Sequence, residues 1–158
     1  MSSVADRLDI IETCTRMGWY IDQREWEALE DVFSDEIMLD YTSLNGGEPG
    51  PVSRKDLIGA WSGLLGQFAA TQHLLSNFLV EVQGDSAVAT AMFQATHRMP
   101  NEHGGPLWTL AGTYRIALER TAQGWRINGV VMTATWADGN QHLFARAAEA
   151  QSAGSAES

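Results

Sequence analysis

Cysteine is nearly absent from this 158-residue sequence: Cys14 stands alone, beside four prolines. A single thiol excludes an internal disulfide and any multi-cysteine zinc site, and it fits a reducing cytoplasm. Positive charge is also scarce. Ten Lys and Arg face twenty Asp and Glu, a net charge of −10, so the phosphate-neutralising surface that nucleic-acid affinity requires is missing. An anionic membrane surface is matched no better. No stretch approaches the roughly 18 apolar residues of a membrane span, and the opening MSSVADRLD lacks the basic-then-apolar order of a secretory leader. A cytoplasmic, unexported chain is expected. The nucleophile elbow, the phosphate-binding loop and the glycine-rich dinucleotide fingerprint are all missing, and no cofactor is expected.

What is present is a globular composition, 44% hydrophobic and 19% charged, which predicts one domain over 1–142 followed by a tail over 143–158. Six tryptophans outnumber the five phenylalanines and three tyrosines. They imply either an aromatic core or a cavity lined with indoles.

Ser3 with Asp6 is a capping signal, and the periodicity of Leu8, Ile11, Cys14, Gly18 and Ile21 predicts a helix over 4–21. Trp26, Leu29, Val32 and Phe33 predict a short second helix within 24–33, which leaves Asp22 at a helix junction. Residues 37–41 read as a short strand and 45–51 as a breaker-rich loop. Ser53 and Asp56 open a helix over 54–69. Four strands follow, over 72–82, 86–98, 107–120 and 125–136, as an antiparallel meander. Helices first and strands after is the order of an α+β domain whose helices cover one face of a curved sheet. From Leu143 the sequence turns small and polar, a frayed helix and then disorder.

Strand alternation then assigns faces. Ala87, Ala89, Ala91, Phe93, Ala95 and His97 share one side, so a histidine ends a row of mostly small residues. Trp108, Leu110, Gly112, Tyr114, Ile116 and Leu118 share the next, and Arg126, Asn128, Val130, Met132, Ala134 and Trp136 the last. Small side chains leave room for a cavity between sheet and helices.

His73 opens the first long strand and Asp22 ends the first helix. A carboxylate beside an imidazole fixes its tautomer and raises the basicity of the far nitrogen, as general acid–base chemistry requires. Residue types alone equally allow a capping aspartate and a core histidine bonded to backbone. His97 by itself reads as a satisfied strand-end histidine. Tyr20, Tyr41 and Tyr114 are core-edge residues or hydrogen-bond donors to a substrate carbonyl. Trp19, Trp61, Trp108 and Trp136 serve as packing or as pocket wall, whereas Trp26 and Trp125 read as structural. His103 and His142 fall in loop or tail. A metal set of His73, His97 and Asp22 lacks any close-spaced ligand signal, and no metal is expected. Cys14 reads as a small core hydrophobe.

Three stretches, Asp22-Gln23-Arg24-Glu25-Trp26, Ile37-Met38-Leu39-Asp40-Tyr41 and Thr71-Gln72-His73, are followed by Gly124-Trp125-Arg126-Ile127 and Thr135-Trp136. In this order they resemble the SnoaL-like branch of the nuclear transport factor 2-like superfamily, and within it the scytalone dehydratase group of polyketide and steroid dehydratases. The resemblance spans about residues 5–140. It implies a cone-shaped α+β fold with an apolar pocket, Asp22 and His73 as an acid–base dyad, His97 as a second histidine and Tyr41 as a carbonyl-polarising phenol. Ile21 stands where that group has a tyrosine, and Gly112 and Tyr114 where it has a serine and an asparagine, so substrate orientation differs.

The function this implies is a cofactor-free lyase or isomerase of secondary metabolism acting on a small apolar aromatic or polycyclic carbonyl compound. His73 takes the α proton, Tyr41 steadies the enolate, and protonated His97 or His73 assists departure of water. A non-catalytic binding or assembly module and an epoxide hydrolase are the alternatives on this fold. An apolar outer face at Leu107, Thr109, Ala111 and Thr113 predicts a homo-oligomer, dimer or trimer.

Overall fold

Ser3 starts the first helix by accepting the backbone N–H of Asp6 at 2.9 Å, and α1 then runs Val4–Gln23 in the computed structural model, which describes residues 3–156. Its buried stripe is Ile10, Thr13, Cys14, Met17, Gly18 and Ile21, while Leu8 is exposed. The helix stops at Arg24, which takes a left-handed backbone with φ 62° and returns its N–H to the Ile21 carbonyl. The expected second helix is only a 3-10 turn, Glu27–Asp31, because Phe33 already begins a strand.

That strand, β1 (Phe33–Asp40), is longer than the sequence predicts. A short helix α2 (Thr42–Asn45) and a strand β2 (Gly50–Ser53) flank the stretch read as loop over 45–51 and overlap its two ends, with β2 antiparallel to β1. Ser53 accepts the Asp56 N–H and starts α3 (Arg54–Leu65). This helix ends four residues early: beyond Leu65 the chain tightens into consecutive turns through Gly66, Gln67 and Phe68. β3 (Ala70–Gln83), β4 (Ser86–Arg98), β5 (Leu107–Thr121) and β6 (Gly124–Gly139) form the antiparallel meander. The sheet order is β2-β1-β6-β5-β4-β3, with β1 and β6 parallel, and the sheet is curved and unclosed. Among the described residues no helix is long and apolar enough to cross a membrane.

The inner face of β4 is the expected row, Ala87 to His97, all buried. On β6 the alternation breaks twice. Ala117 pairs with Gly129 but Leu118 with Ile127, and Ala111 pairs with Trp136 but Gly112 with Ala134, so Asn128 and Thr135 are extra residues in bulges. Each bulge moves the following side chains to the other face. Trp125 and Ile127 are therefore buried in place of Arg126 and Asn128, and Trp136 is turned outward. Gly112 lies against the second bulge, where any Cβ would collide with the Thr133 carbonyl.

The C-terminal segment also differs from expectation. Over its described part it is a helix, α4 (Leu143–Ala156), anchored by buried Leu143 and Ala147 against the rest of the core. The last two residues of the expected disordered tail lie outside the described residues.

Candidate active site

α1 and β3 can approach closely because Gly18, one turn before Asp22, has no side chain. A Cβ there would stand 3.3 Å from the Cβ of His73. The approach brings Asp22 onto His73: Oδ1 of Asp22 is 2.8 Å from Nδ1 of the imidazole, and Oδ2 accepts the His73 backbone N–H at 2.6 Å. Thr71 Oγ1 donates to the same Oδ1 at 2.9 Å. Burial pushes the Asp22 carboxyl up, but hydrogen bonds from His73 and Thr71 and the charge of His73 outweigh it and hold the group below the ordinary carboxylate value. Beside an ionised carboxylate Nδ1 carries the proton and donates it to Asp22, so the lone pair of the neutral imidazole lies on Nε2.

His73 lines a cavity of about 280 Å³ between helices and sheet. Its walls are apolar: Met17 and Ile21 of α1, Trp61 and Leu65 of α3, Phe93 and Ala95 of β4, Leu110 of β5, Met132 of β6 and Phe144 of α4. Tyr41 and Tyr114 face the same space. Burial raises both phenols, Tyr41 well above its ordinary value and Tyr114 to about 12. Both phenols are therefore protonated at neutral pH and can donate to an oxygen in the cavity.

His97 also borders the cavity, with its ring 6.0 Å from that of His73 and 80° to it. It is 3% exposed and packed among Phe68, Trp108 and Phe144, with Nδ1 3.3 Å from the Trp108 carbonyl. Burial first, then the charge of His73, lowers its pKa to about 4. Burial therefore disfavours a protonated His97 and leaves His73 as the acid of the two expected alternatives. At neutral pH this ring is neutral, donates from Nδ1 to the carbonyl and can only accept at Nε2.

Of the aromatic and small residues expected to line the pocket, Trp61, Phe93, Leu110 and Tyr114 do so. Trp61 is held edge-on to Phe33 at 5.7 Å. Trp108 is buried behind His97 and does not reach the cavity, and its Nε1 has no partner among the described residues. Tyr20 packs against the core from outside the cavity. Trp19 and Trp136, 60% and 52% exposed, and Gly112 instead border a wider outer hollow with Leu74 and Met92. His73 lines both spaces and Asp22 only the outer one, so the pair stands in the wall between them. Trp26 and Trp125 are scaffold, stacked under Arg24 and Arg120. His103 and His142 are exposed. Among the described residues no group of three His, Cys, Asp or Glu side chains is placed to hold a metal ion, and Cys14 is buried with its thiol pushed up to about 12. Sequence reasoning missed Phe144, whose one signal was the Leu143-Phe144 pair heading a small, polar segment.

A SnoaL-like domain model matches residues 2–131. The uncharacterized protein Rv2910c of Mycobacterium tuberculosis is 33% identical over 133 residues, covering 80% of this chain and 84% of that protein. Among solved structures, the Kfla4162 protein of Kribbella flavida is 32% identical with a TM-score of 0.85, over 89% of this chain and 97% of that one. A Novosphingobium aromaticivorans protein provisionally named a scytalone dehydratase has a TM-score of 0.75 at 19% identity, over 87% and 89% of the two chains. The fold is that of the nuclear transport factor 2-like superfamily, and within it this chain belongs to the SnoaL-like family.

Proposed function

We propose that the protein is a cofactor-free acid–base catalyst, a dehydratase or isomerase, acting on a small apolar cyclic carbonyl compound of polyketide type. The observation that carries this reading is His73: its Nδ1 is fixed by Asp22 and its ring lines an apolar cavity that two phenols, Tyr41 and Tyr114, also line. In the dehydration, Nε2 of His73 takes the proton α to the carbonyl, and the electron pair forms an enolate whose oxygen accepts from one of the two phenols, Tyr41 or Tyr114. The enolate expels the β-hydroxyl, and the proton on His73 leaves with it as water, so the products are an enone and water. In the isomerisation, the same proton returns to a different carbon. His97 stays neutral and accepts a hydrogen bond from the substrate hydroxyl. Apolar walls exclude bulk water and strengthen each of these contacts.

Cavity size narrows the substrate. A 150 Å³ apolar cavity is known to hold roughly one benzene ring, so about 280 Å³ suits one or two fused rings better than a larger polycycle. The provisional name of the Novosphingobium relative points to the same chemistry. The test is a mass-spectrometric screen of mono- and bicyclic β-hydroxy ketones for loss of water, run with the unmodified protein and with His73→Ala. Loss of water that depends on His73 is expected. Tight binding of such compounds with no conversion would replace this reading with a ligand-binding module.

We further propose a homo-oligomer formed through the outer sheet face, where Leu74, Met92 and Trp136 are exposed.

A further inference from the structure

Arg24 is costly to the fold in two ways. It is a non-glycine residue in the left-handed region, with φ 62°, and its Nη1 is buried with no partner among the described residues. Among the described residues its side chain makes one hydrogen bond, from Nη2 to the Phe68 carbonyl at 3.1 Å, and its guanidinium lies 5.7 Å from the Trp26 ring centroid. That bond joins two particular places. Arg24 is two residues beyond Asp22 on the end of α1, and Phe68 lies just before β3, which carries Thr71 and His73. We propose that Arg24 is the positioning residue of the Asp22–His73 pair: it ties the end of α1 to the start of β3 and sets a fixed positive charge beside the carboxylate. Cation and carboxylate act on each other at Coulombic range without forming an ion pair, so Asp22 keeps its bonds to Thr71 and His73. The other titratable groups around the pair are His97 on β4 and Tyr41 and Tyr114 at the cavity, and burial keeps all three neutral at neutral pH. A positive charge placed there favours ionised Asp22 and disfavours the imidazolium, which keeps Nε2 of His73 available as a base.

The inference rests on the acid–base reading of the pair, and its test requires no substrate. The imidazole of His73 is followed by NMR through its ring nitrogens and the Nδ1 proton. In Arg24→Met the titration midpoint of the pair should rise by roughly half to one pH unit, the size of a screened charge at several ångströms, and the Nδ1 proton should exchange faster. Arg24→Lys, which keeps the charge, should return the midpoint toward that of the unmodified protein. An unchanged midpoint in Arg24→Met, or an equal shift in Arg24→Lys, overturns the proposal. Should Arg24→Met not fold, Arg24→Gly removes the same charge and suits the left-handed backbone. Asp22→Asn is the separate control. If the Nδ1 proton is indifferent to that change, the acid–base pair itself fails, whatever Arg24 does.

Discussion

Asp22 holds His73 at two points, through the ring Nδ1 at 2.8 Å and through the backbone N–H at 2.6 Å. One carboxylate therefore fixes both the position of the strand and the rotation of the imidazole upon it. The two residues should behave as a unit. His73→Ala and Asp22→Asn are each expected to lower kcat by about 10²–10⁴ with little change in KM, since the cavity walls remain. Their combination should cost scarcely more than either alone. Steady-state kinetics on the substrate found by the screen measures this, and losses that multiply would show that the two act separately.

His97 gives a pH dependence of stability. Its value falls from the ordinary 6.5 to about 4 in the folded protein, so between these limits the unfolded chain binds the extra proton and stability drops as pH falls. The full span is worth up to about 3 kcal/mol. Urea unfolding of the unmodified protein should show this decline between pH 6.5 and about 4. His97→Phe keeps a ring among Phe68, Trp108 and Phe144 and removes the proton site, so its profile over that range should be flatter. A slope equal to that of the unmodified protein would place the titrating group elsewhere.

Much of the site is legible in the sequence because it follows local rules. Ser3 and the i, i+4 stripe set the length of α1 and so the position of Asp22. Strict alternation puts Ala87 through His97 on one face of β4. Where the reading fails, a tertiary event intervenes. The bulges at Asn128 and Thr135 reverse the face of β6, and no local residue signal marks them, so Trp136 is read as a pocket wall though it lies outside. β2 exists only because β1 offers a partner edge. The charge state of His97 depends on Phe68, Trp108 and Phe144, contributed by three separate segments.

The two phenols make a further prediction. Tyr41 and Tyr114 both face the cavity, and burial keeps both protonated at neutral pH, so each can donate to the substrate oxygen. By analogy with the loss of one oxyanion donor, replacing by Phe the phenol that meets that oxygen should lower kcat by about 10²–10³, and replacing the other should cost about tenfold or less. Both Tyr41→Phe and Tyr114→Phe should unfold within about 1 kcal/mol of the unmodified protein. Unchanged kcat in both variants would remove the phenols from the mechanism.

On the outer sheet face, Leu74, Gln94, Ala111 and Trp136 run side by side across four strands, and Ser76, Met92, Thr113 and Thr133 form the adjoining row. None of these eight carries charge, whereas the whole chain carries −10. Two copies repel each other over most approaches and least through this face. A stable contact buries about 800 Å² per copy, near a tenth of the 8990 Å² surface. Light scattering should therefore find an oligomer whose stability increases with salt, because salt screens the net repulsion. In a two-fold contact each substitution counts twice, so Leu74→Glu with Met92→Glu should give monomers. Leu8→Glu, on the exposed side of α1, should not. A monomeric unmodified protein at micromolar concentration, or an oligomer that withstands the paired glutamates, would remove this face from consideration.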